Sequence, residues 1–257
     1  VRPLASVLLI VGCLAPCAYA TGDSLGQHHS PATQITPDNV TQLEPVWTHR
    51  NGDMAAAEGA PSSVSAQSTP ILLPRAAGEH LVYCTPFNRV IALDPQTGRE
   101  RWTFDPAVRR TSERPYRCRG VAYAPMAQAV TPAPFPCRHR IYTVTGDRRL
   151  IALDARDGQP CEQFGDRGTV TLAEHERYGL EEVGSSSPPA VANGVVVVGS
   201  SVIDFAYAEA PRGVIAAYDA ITGEPRWTFD PLQGVSGTGA GNAWAPLAVD
   251  AASDMVF

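Results

Sequence analysis

One short motif occurs three times in the chain, and this internal repeat limits the possible fold more than any other feature. Each copy has two apolar residues, an aspartate, three further residues and a glycine, and the copies are residues 92–98, 152–158 and 217–223. Successive aspartates are 60 and 65 residues apart. Trp102 and Trp227 follow the first and third aspartates by eight residues, whereas Glu162 occupies this position in the second copy. Self-similarity at such a period predicts a stack of equivalent supersecondary units.

Each copy predicts a β-hairpin. An apolar strand precedes the aspartate, whose carboxylate can accept N–H groups of the turn, and the glycine supplies a positive φ. Before the third copy, apolar residues flank Asn193-Gly194, which is a strong hairpin signal. Equivalent strands are predicted at residues 81–84 and 141–144. Four short strands per unit predict an all-β fold, the β-propeller, with one blade per unit.

The repeat count sets the expected domain organisation. The chain holds three whole units and the start of a fourth, which begins at Trp244. We therefore expect a partial propeller of about three and a half four-stranded blades over residues 33–257, as the N-terminal part of a longer protein. Residues 33–49 are expected to give a strand to the blade that closes the ring.

Composition excludes several classes of protein. The chain has 22 Gly and 23 Pro among 257 residues, an excess over the usual ~7% and ~5% that favours turns over long helices. A net charge of −6 argues against a general nucleic-acid binder. All 20 basic residues are Arg, so neither a lysine Schiff base nor a P-loop can operate within these residues.

The N-terminus predicts export from the cytoplasm. Arg2 precedes an apolar run at residues 4–15, and Ala18-Tyr19-Ala20 forms a small-x-small cleavage site. We assign residues 1–20 as a cleaved signal peptide. As the alternative, Ile10-Val11-Gly12-Cys13 is similar to a bacterial lipobox, with Cys13 lipidated. Both interpretations predict a periplasmic protein, and the second predicts one anchored to a membrane.

Four cysteines remain after the signal segment: Cys84, Cys118, Cys137 and Cys161. An oxidising compartment permits disulfides, and four cysteines allow three complete pairings. A bond between Cys118 and Cys137, the nearest pair in sequence, is one hypothesis, and isolated buried thiols are another. None of these four forms a C-x-x-C motif, which argues against a zinc site.

The repeats resemble the tryptophan-docking motif of PQQ-dependent quinoprotein dehydrogenases, and most of all the glucose/quinate-type branch. The resemblance runs from about Ile35 to the last residue. The supporting stretches are Ile35-Thr36-Pro37-Asp38-Asn39-Val40, Tyr83-Cys84-Thr85-Pro86, Cys118-Arg119-Gly120-Val121-Ala122-Tyr123, Ser187-Pro188-Pro189 and Asn242-Ala243-Trp244-Ala245-Pro246. It implies an eight-bladed propeller with pyrroloquinoline quinone (PQQ) near its axis and a Ca²⁺ ion beside it.

The resemblance also implies roles for individual residues. Trp244 would form an aromatic floor beneath the planar cofactor, and Arg119 would bond to one of its carboxylates. Ser186 and Ser201 match hydroxyl positions at the cofactor edge. Asp204 matches an acidic Ca²⁺ ligand, which is the ligand type that this ion prefers.

Several residues depart from the family pattern. Gln67 stands where the family usually has Glu, Phe205 where the glucose-type branch tends to have Asn, and Ala124 where that branch tends to have His. No vicinal cysteine pair precedes Arg119, unlike in the alcohol-oxidising branch. The family's catalytic base would lie beyond Phe257, so no residue here is assigned to that role.

The leading hypothesis is a periplasmic dehydrogenase that oxidises a sugar, cyclic polyol or alcohol through PQQ and Ca²⁺. Electrons would then pass to a quinone or a cytochrome. Membrane-bound glucose enzymes of the branch carry several transmembrane helices before the propeller, whereas only the signal-like segment precedes it here. We therefore expect a soluble or lipid-anchored enzyme, inactive as the isolated 257-residue chain. The alternative is a non-catalytic propeller scaffold of the outer-membrane assembly lipoprotein type.

Overall fold

The computed structural model describes residues 32–56, 63–110, 115–126, 137–172, 182–203 and 206–257. Within these ranges the fold is built from 18 β-strands, one four-residue helix, α1 (Asp53–Ala56), and 3₁₀ turns at Val40–Gln42 and Arg75–Ala77. The predicted signal peptide, residues 1–20, lies outside them and stays a prediction. No helix in the described ranges is long and apolar enough to cross a bilayer.

The first repeat forms an antiparallel sheet, blade 1. Its strands are β2 (Ile71–Leu72), β3 (Leu81–Cys84), β4 (Val90–Leu93) and β5 (Glu100–Phe104), paired in that order. The predicted turn joins β4 to β5. The Asp94 carboxylate accepts the N–H groups of Gln96 and Thr97, both at 2.9 Å, and Gly98 has a φ of 68°. The repeat motif is therefore the hairpin between the last two strands of a blade.

The second and third repeats form blades of the same design. The strands of blade 2 are β7 (Ala122–Pro125), β8 (His139–Val144), β9 (Arg149–Asp154) and β10 (Thr169–Thr171). The strands of blade 3 are β12 (Ala190–Ala192), β13 (Val195–Val198), β15 (Ile215–Asp219) and β16 (Pro225–Phe229). The predicted hairpin at Asn193-Gly194 joins β12 to β13, with φ of 47° and 76° at the two turn residues.

Six further strands lie outside the three blades as two-stranded pairs. They are β1 (Val64–Ala66) parallel to β6 (Tyr116–Cys118), β11 (Val183–Gly184) with β14 (Ser201–Val202), and β17 (Val249–Asp250) with β18 (Met255–Val256). The last pair begins the fourth repeat. The predicted architecture, a partial propeller of three blades and the start of another, is confirmed.

The core lies between the blades because each central strand is covered on both faces. Side chains alternate along a strand, so neighbouring residues face opposite blades. In β13, Val196 and Val198 pack with blade 2, whereas Val197 packs with Val249 of the fourth repeat. This arrangement explains why central strands such as β4 and β13 are continuous apolar runs.

A tryptophan joins blade 1 to each of its neighbours. A Cβ placed on Gly158, in the repeat turn of blade 2, would lie 2.5 Å from Cε3 of Trp102, so the indole covers this glycine. Trp47 covers Gly98 in the same way, and its Nε1–H donates to the carbonyl of Pro95 at 3.2 Å. Residues 33–49 form no strand, because no neighbouring strand among the described residues pairs with them. The expected contribution of this segment to a closing blade stays a prediction.

The joint between blades 2 and 3 uses different residues, as the missing tryptophan at Glu162 suggests. The side chain of Val170 and the backbone of Gly165 cover Gly223. The N–H of Gly165 donates to the carbonyl of Thr222 at 2.8 Å. Arg140, fully buried in β8, donates from Nη1 to the carbonyls of Ala220 and Ile221, both at 2.8 Å. A cation bonded to neutral carbonyls therefore spans this joint.

The cysteine hypotheses were both wrong. The structure pairs Cys84 with Cys118 and Cys137 with Cys161, over sequence separations of 34 and 24 residues. Cys118 precedes strand β7 and Cys137 follows it. The two cysteines therefore lie at opposite ends of that strand, and each strand residue adds about 3.3 Å to their separation. Proximity in sequence misled the prediction because the intervening strand carries the chain from one end of the blade to the other.

Candidate cofactor-binding site

Most of the predicted site residues lie in four equivalent segments, each leading into the first strand of a repeat. We call residues 64–70, 116–121, 183–189 and 242–248 the lead-in segments. The first strand of blade 3, β12, lies beside the first strands β7 and β17 of the adjacent units. The lead-in segments therefore converge at one end of these strands.

One hydrogen bond joins each lead-in segment to the next. The N–H of Thr69 donates to the carbonyl of Arg119 at 3.0 Å, and the N–H of Arg119 donates to the carbonyl of Ser186 at 2.9 Å. The hydroxyl of Ser187 then donates to the carbonyl of Trp244 at 2.5 Å. Arg119, Ser186 and Trp244 are brought together by this series of hydrogen bonds, although as many as 125 residues separate them in sequence.

The guanidinium of Arg119 has no carboxylate partner in the described part of the chain. Its Nη1 donates to the hydroxyl of Ser186, and its Cζ lies 5.0 Å from the centre of the Trp244 ring, within the range of a cation–π contact. Burial, and after it the charge of Arg117, lowers the pKa of Arg119. A half-buried cation that faces a hydroxyl and an aromatic ring is suited to receive an anion.

Close backbone packing holds Trp244 in place. A Cβ on Gly199 would lie 2.2 Å from the carbonyl oxygen of Ala243, and one on Gly213 would lie 2.1 Å from Cβ of Asn242. Only glycine lets the 242–244 segment approach this closely. The Trp244 residue remains 52% exposed, so part of its surface is accessible to a ligand.

Ser201 and Gln67 lie beside this group. Ser201 in β14 pairs with Gly184 in β11. Gly184 stands two residues before Ser186 in the chain. Gln67 is exposed, and its Nε2 donates to the hydroxyl of Ser65 at 3.1 Å. Both residues are on or next to lead-in segments, but neither side chain makes a described contact with Arg119 or Trp244.

The predicted metal ligand, Asp204, lies outside the described residues, as does Phe205. Within the described ranges, no cluster of three or more His, Cys, Asp or Glu side chains could hold a metal ion. The role of Asp204 stays a prediction.

Sequence reasoning missed the residues that assemble the site without facing the cofactor position. Thr69 and Ser187 link lead-in segments, and Gly199 and Gly213 make room for the tryptophan segment. The equivalent positions of Thr69 and Ser187 could have identified these two residues. Each is followed by a proline, and each stands shortly before the first strand of a blade.

A cavity of about 610 Å³ elsewhere in the described chain contains none of the predicted residues. Its main carboxylate, Asp53, is paired with Arg89 and accepts the N–H of Phe87 at 2.9 Å. Arg110 stacks on the Phe87 ring at 3.9 Å. In this cavity the Asp53 carboxylate already neutralises the guanidinium of Arg89.

The residues around Arg119 fit a planar anion such as PQQ. A partly exposed indole, a guanidinium with no carboxylate partner among the described residues and a neighbouring hydroxyl match a flat ring system that carries carboxylates. Arg119, Ser186 and Trp244 would hold such a group, with Ser201 and Gln67 in reach of its edge only if those side chains turn towards it.

Comparison with known proteins points the same way. A family model described as "PQQ: Glucose/ethanol/alcohol dehydrogenase, beta-propeller domain" matches residues 18–257. Quinoprotein glucose dehydrogenase A of Acinetobacter calcoaceticus is 34% identical over 90% of this chain and 31% of its own length. The glycerol dehydrogenase large subunit of Gluconobacter oxydans is 35% identical over 93% of this chain and 33% of its own length. The chain thus spans about a third of these relatives.

Solved structures with the same fold include quinohemoprotein alcohol dehydrogenases. The enzyme of Pseudomonas putida matches with a TM-score of 0.66 and 26% identity over 93% of this chain and 33% of its own. The enzyme of Comamonas testosteroni gives a TM-score of 0.66 at 22% identity, over 93% of this chain and 34% of its own, which supports the fold alone.

Proposed function

This chain belongs to the PQQ glucose/ethanol/alcohol dehydrogenase β-propeller family, and we propose that it forms part of a quinoprotein dehydrogenase. The enzyme oxidises a sugar, cyclic polyol or alcohol and passes the electrons to a quinone or a cytochrome. The substrate classes follow from the relatives, which are named glucose, quinate/shikimate and glycerol dehydrogenases. The acceptor classes follow from relatives whose names specify a quinone or cytochrome c.

The arrangement of Arg119, Ser186 and Trp244 is the observation that carries this proposal. Arg119 bonds to a cofactor carboxylate, and a charge-assisted bond of this kind contributes about 1.5–3 kcal/mol. Ser186 fixes the direction of the guanidinium through its hydroxyl. Trp244 stacks beneath the ring system, which adds roughly 0.5–1.5 kcal/mol beyond burial.

The bound cofactor supplies the quinone that takes up the electrons removed from the substrate. The residues of this chain bind and orient it, and none of them is assigned as the catalytic base. We propose Asp204 as a Ca²⁺ ligand and Ser201 and Gln67 as further contacts at the cofactor edge. The isolated chain is proposed to lack activity, because it spans only about 31% of its relatives.

We place the enzyme in the periplasm. The signal-like residues 1–20 support export, and the two disulfides are typical of proteins that fold outside the cytoplasm. Cleavage by signal peptidase and lipidation at Cys13 both remain consistent with this location.

Reconstitution of the full-length protein tests the proposal. Titration of the apoprotein with PQQ at fixed Ca²⁺ should give a saturable absorbance change. Sugars or polyols should then reduce an artificial electron acceptor only when both additives are present. Arg119→Ala should weaken PQQ binding about tenfold or more. Arg226→Ala, which removes an exposed arginine from strand β16, is the matched control and should leave binding unchanged.

A wild-type protein that binds no PQQ contradicts the proposal. That outcome favours the alternative of a non-catalytic scaffold, which does not need the cofactor. Equal losses of PQQ affinity in Arg119→Ala and Arg226→Ala contradict the assigned site, because they indicate an effect of net charge alone.

A further inference from the structure

The disulfide between Cys84 and Cys118 connects a blade to the lead-in segment that carries Arg119. Cys84 is the last residue of β3, which is paired on both sides by β2 and β4. Cys118 is the last residue of β6 and immediately precedes Arg119. Both cysteines are almost fully buried, and their Cα atoms are 5.9 Å apart. One end of the link is thus fixed in a sheet, and the other end lies next to the candidate cofactor ligand.

Hydrogen bonds close a ring around this link. The N–H of Cys84 donates to the hydroxyl of Ser68 at 3.1 Å. The next residue, Thr69, donates its N–H to the carbonyl of Arg119 at 3.0 Å. Arg119 is therefore connected to the region around Cys84 in two ways. One is the disulfide of the preceding residue, Cys118, and the other is the hydrogen bond to its own carbonyl.

Besides the disulfide, the segment before Arg119 is held by Tyr116, whose ring packs edge-on against Phe87 at 5.2 Å, and by one strand pairing. Strand β6 has three residues and pairs only with the three-residue strand β1 in the described part of the chain. Side chains alternate along an extended strand, so Cys118 and Arg119 point to opposite sides. Holding the Cys118 side chain against blade 1 therefore keeps the guanidinium of Arg119 directed at Ser186 and Trp244.

We propose that the Cys84–Cys118 disulfide is a positioning device for Arg119, which sets the affinity of the site for the anionic quinone cofactor. This inference rests on the proposed function. The two cysteines act through Arg119 and are positioning residues. The second disulfide, Cys137–Cys161, lies within blade 2 and has no described contact with the lead-in segments.

The test compares two disulfide deletions in the full-length protein. The variant Cys84→Ala/Cys118→Ala should raise the PQQ dissociation constant about five- to tenfold, a part of what the guanidinium itself contributes. The matched control, Cys137→Ala/Cys161→Ala, should lower the melting temperature and leave the dissociation constant unchanged. The PQQ dissociation constant is measured from the quenching of tryptophan fluorescence as PQQ is added at fixed Ca²⁺. No substrate is present, so the measurement does not depend on turnover.

A double-mutant cycle separates positioning from general loosening. In an Arg119→Ala background, deletion of Cys84 and Cys118 should have no further effect on PQQ affinity, because the residue they position is gone. Additive losses overturn the proposal. So does an unchanged dissociation constant in the Cys84→Ala/Cys118→Ala variant when the wild-type protein binds PQQ. Failure of the wild-type protein to bind PQQ instead overturns the proposed function, and this inference with it.

Ser68→Ala provides a second arm if the cysteine double variant does not fold. It keeps the disulfide and removes only the hydroxyl that accepts the Cys84 N–H. We expect a smaller rise in the PQQ dissociation constant, about two- to threefold, that disappears in the Arg119→Ala background. A dissociation constant equal to that of the wild-type protein overturns the proposal.

Discussion

Arg140 shows how a single buried charge can replace a missing aromatic side chain. It is fully buried and donates to the carbonyl of Cys137 within blade 2. Across the joint between blades 2 and 3 it donates to the carbonyls of Ala220 and Ile221. The hydroxyl of Tyr142 donates to the Ala220 carbonyl as well, and burial raises the pKa of Tyr142 to about 12. That hydroxyl therefore keeps its proton, and remains a donor, throughout the physiological pH range.

Arg140→Ala should destabilise the protein by roughly 3–5 kcal/mol, because it leaves several buried carbonyls without donors and creates a cavity. Urea denaturation of the full-length protein measures the change. Arg226→Ala removes a half-exposed arginine and should change the free energy of unfolding by less than about 0.5 kcal/mol. A similar value for both variants would show that the guanidinium does not stabilise the joint.

Asp94 makes the stability of the repeat turn dependent on pH. Its bond with the Arg101 guanidinium, and after it the Thr97 N–H, lowers its pKa from 3.8 to about 2. A depressed carboxyl pKa stabilises the folded state above the unfolded pKa, and this contribution disappears as the pH falls through the folded value.

The stability difference between wild type and Asp94→Asn should therefore be constant above pH 3.8 and shrink as the pH falls towards about 2. Urea midpoints over a pH series measure it. Asp166→Asn, at a carboxylate that is 87% exposed, is the control and should show no comparable pH dependence. A pH-independent effect of Asp94→Asn contradicts the assignment.

The site residues could be selected from the sequence only through the family resemblance. Arginine, serine and tryptophan are common, and nothing in their spacing says that Arg119, Ser186 and Trp244 meet. The bonds from the Thr69 N–H and the Ser187 hydroxyl that assemble them could not be predicted, because hydrogen bonding between distant segments depends on how the blades stack.

At the scale of elements, the glycine of each of the first two repeat turns determines whether the preceding tryptophan can dock. Gly158→Ala combines a positive φ of 75° with a contact of 2.5 Å to Trp102. Gly194 has a φ of 76°, but nothing lies within 4 Å of the position that its Cβ would take. The two glycines share a backbone conformation and differ only in what covers them.

Gly194→Ala should therefore cost roughly 1–2 kcal/mol for the left-handed conformation alone. Gly158→Ala should cost about a further 1–3 kcal/mol, because the indole must move. Chemical denaturation of both variants measures the difference. If the costs are equal, packing of Trp102 against Gly158 does not stabilise the joint between the blades.

Blade strands were predictable because their signals are local. The turn aspartates, the Asn193-Gly194 hairpin and the apolar runs all fell where expected. The disulfides were not, because their geometry is set between elements rather than along the chain. Blade 2 differs from the other two blades. Glu162 occupies the tryptophan position, and the last strand begins further along the chain, at Thr169–Thr171.

At the scale of the whole molecule, the outer face of blade 3 lacks the cover that blade 1 has. Trp227 and Phe229 on β16 are 43% and 55% exposed, although Trp227 matches Trp102 in the repeat. No glycine turn of a following repeat lies against Trp227 in the described residues. We predict that the next blade of a longer protein supplies that glycine.

Acrylamide quenching tests this prediction. The fluorescence assigned to Trp227, by difference from Trp227→Phe, should be quenched more strongly in the isolated chain than in the full-length protein. Trp102, already packed on Gly158, should give the same quenching in both and serves as the internal control. Equal accessibility of Trp227 in the two proteins contradicts the prediction.

The joints differ in how freely they could be rearranged during evolution. Where a tryptophan meets a bare glycine turn, both partners belong to the repeat, so unequal recombination could add or remove a whole unit and still leave matched surfaces. The joint built from Arg140, Val170 and Gly165 has no such interchangeable partners. Blades 2 and 3 are therefore expected to be inherited as an inseparable pair, while ring size varies elsewhere.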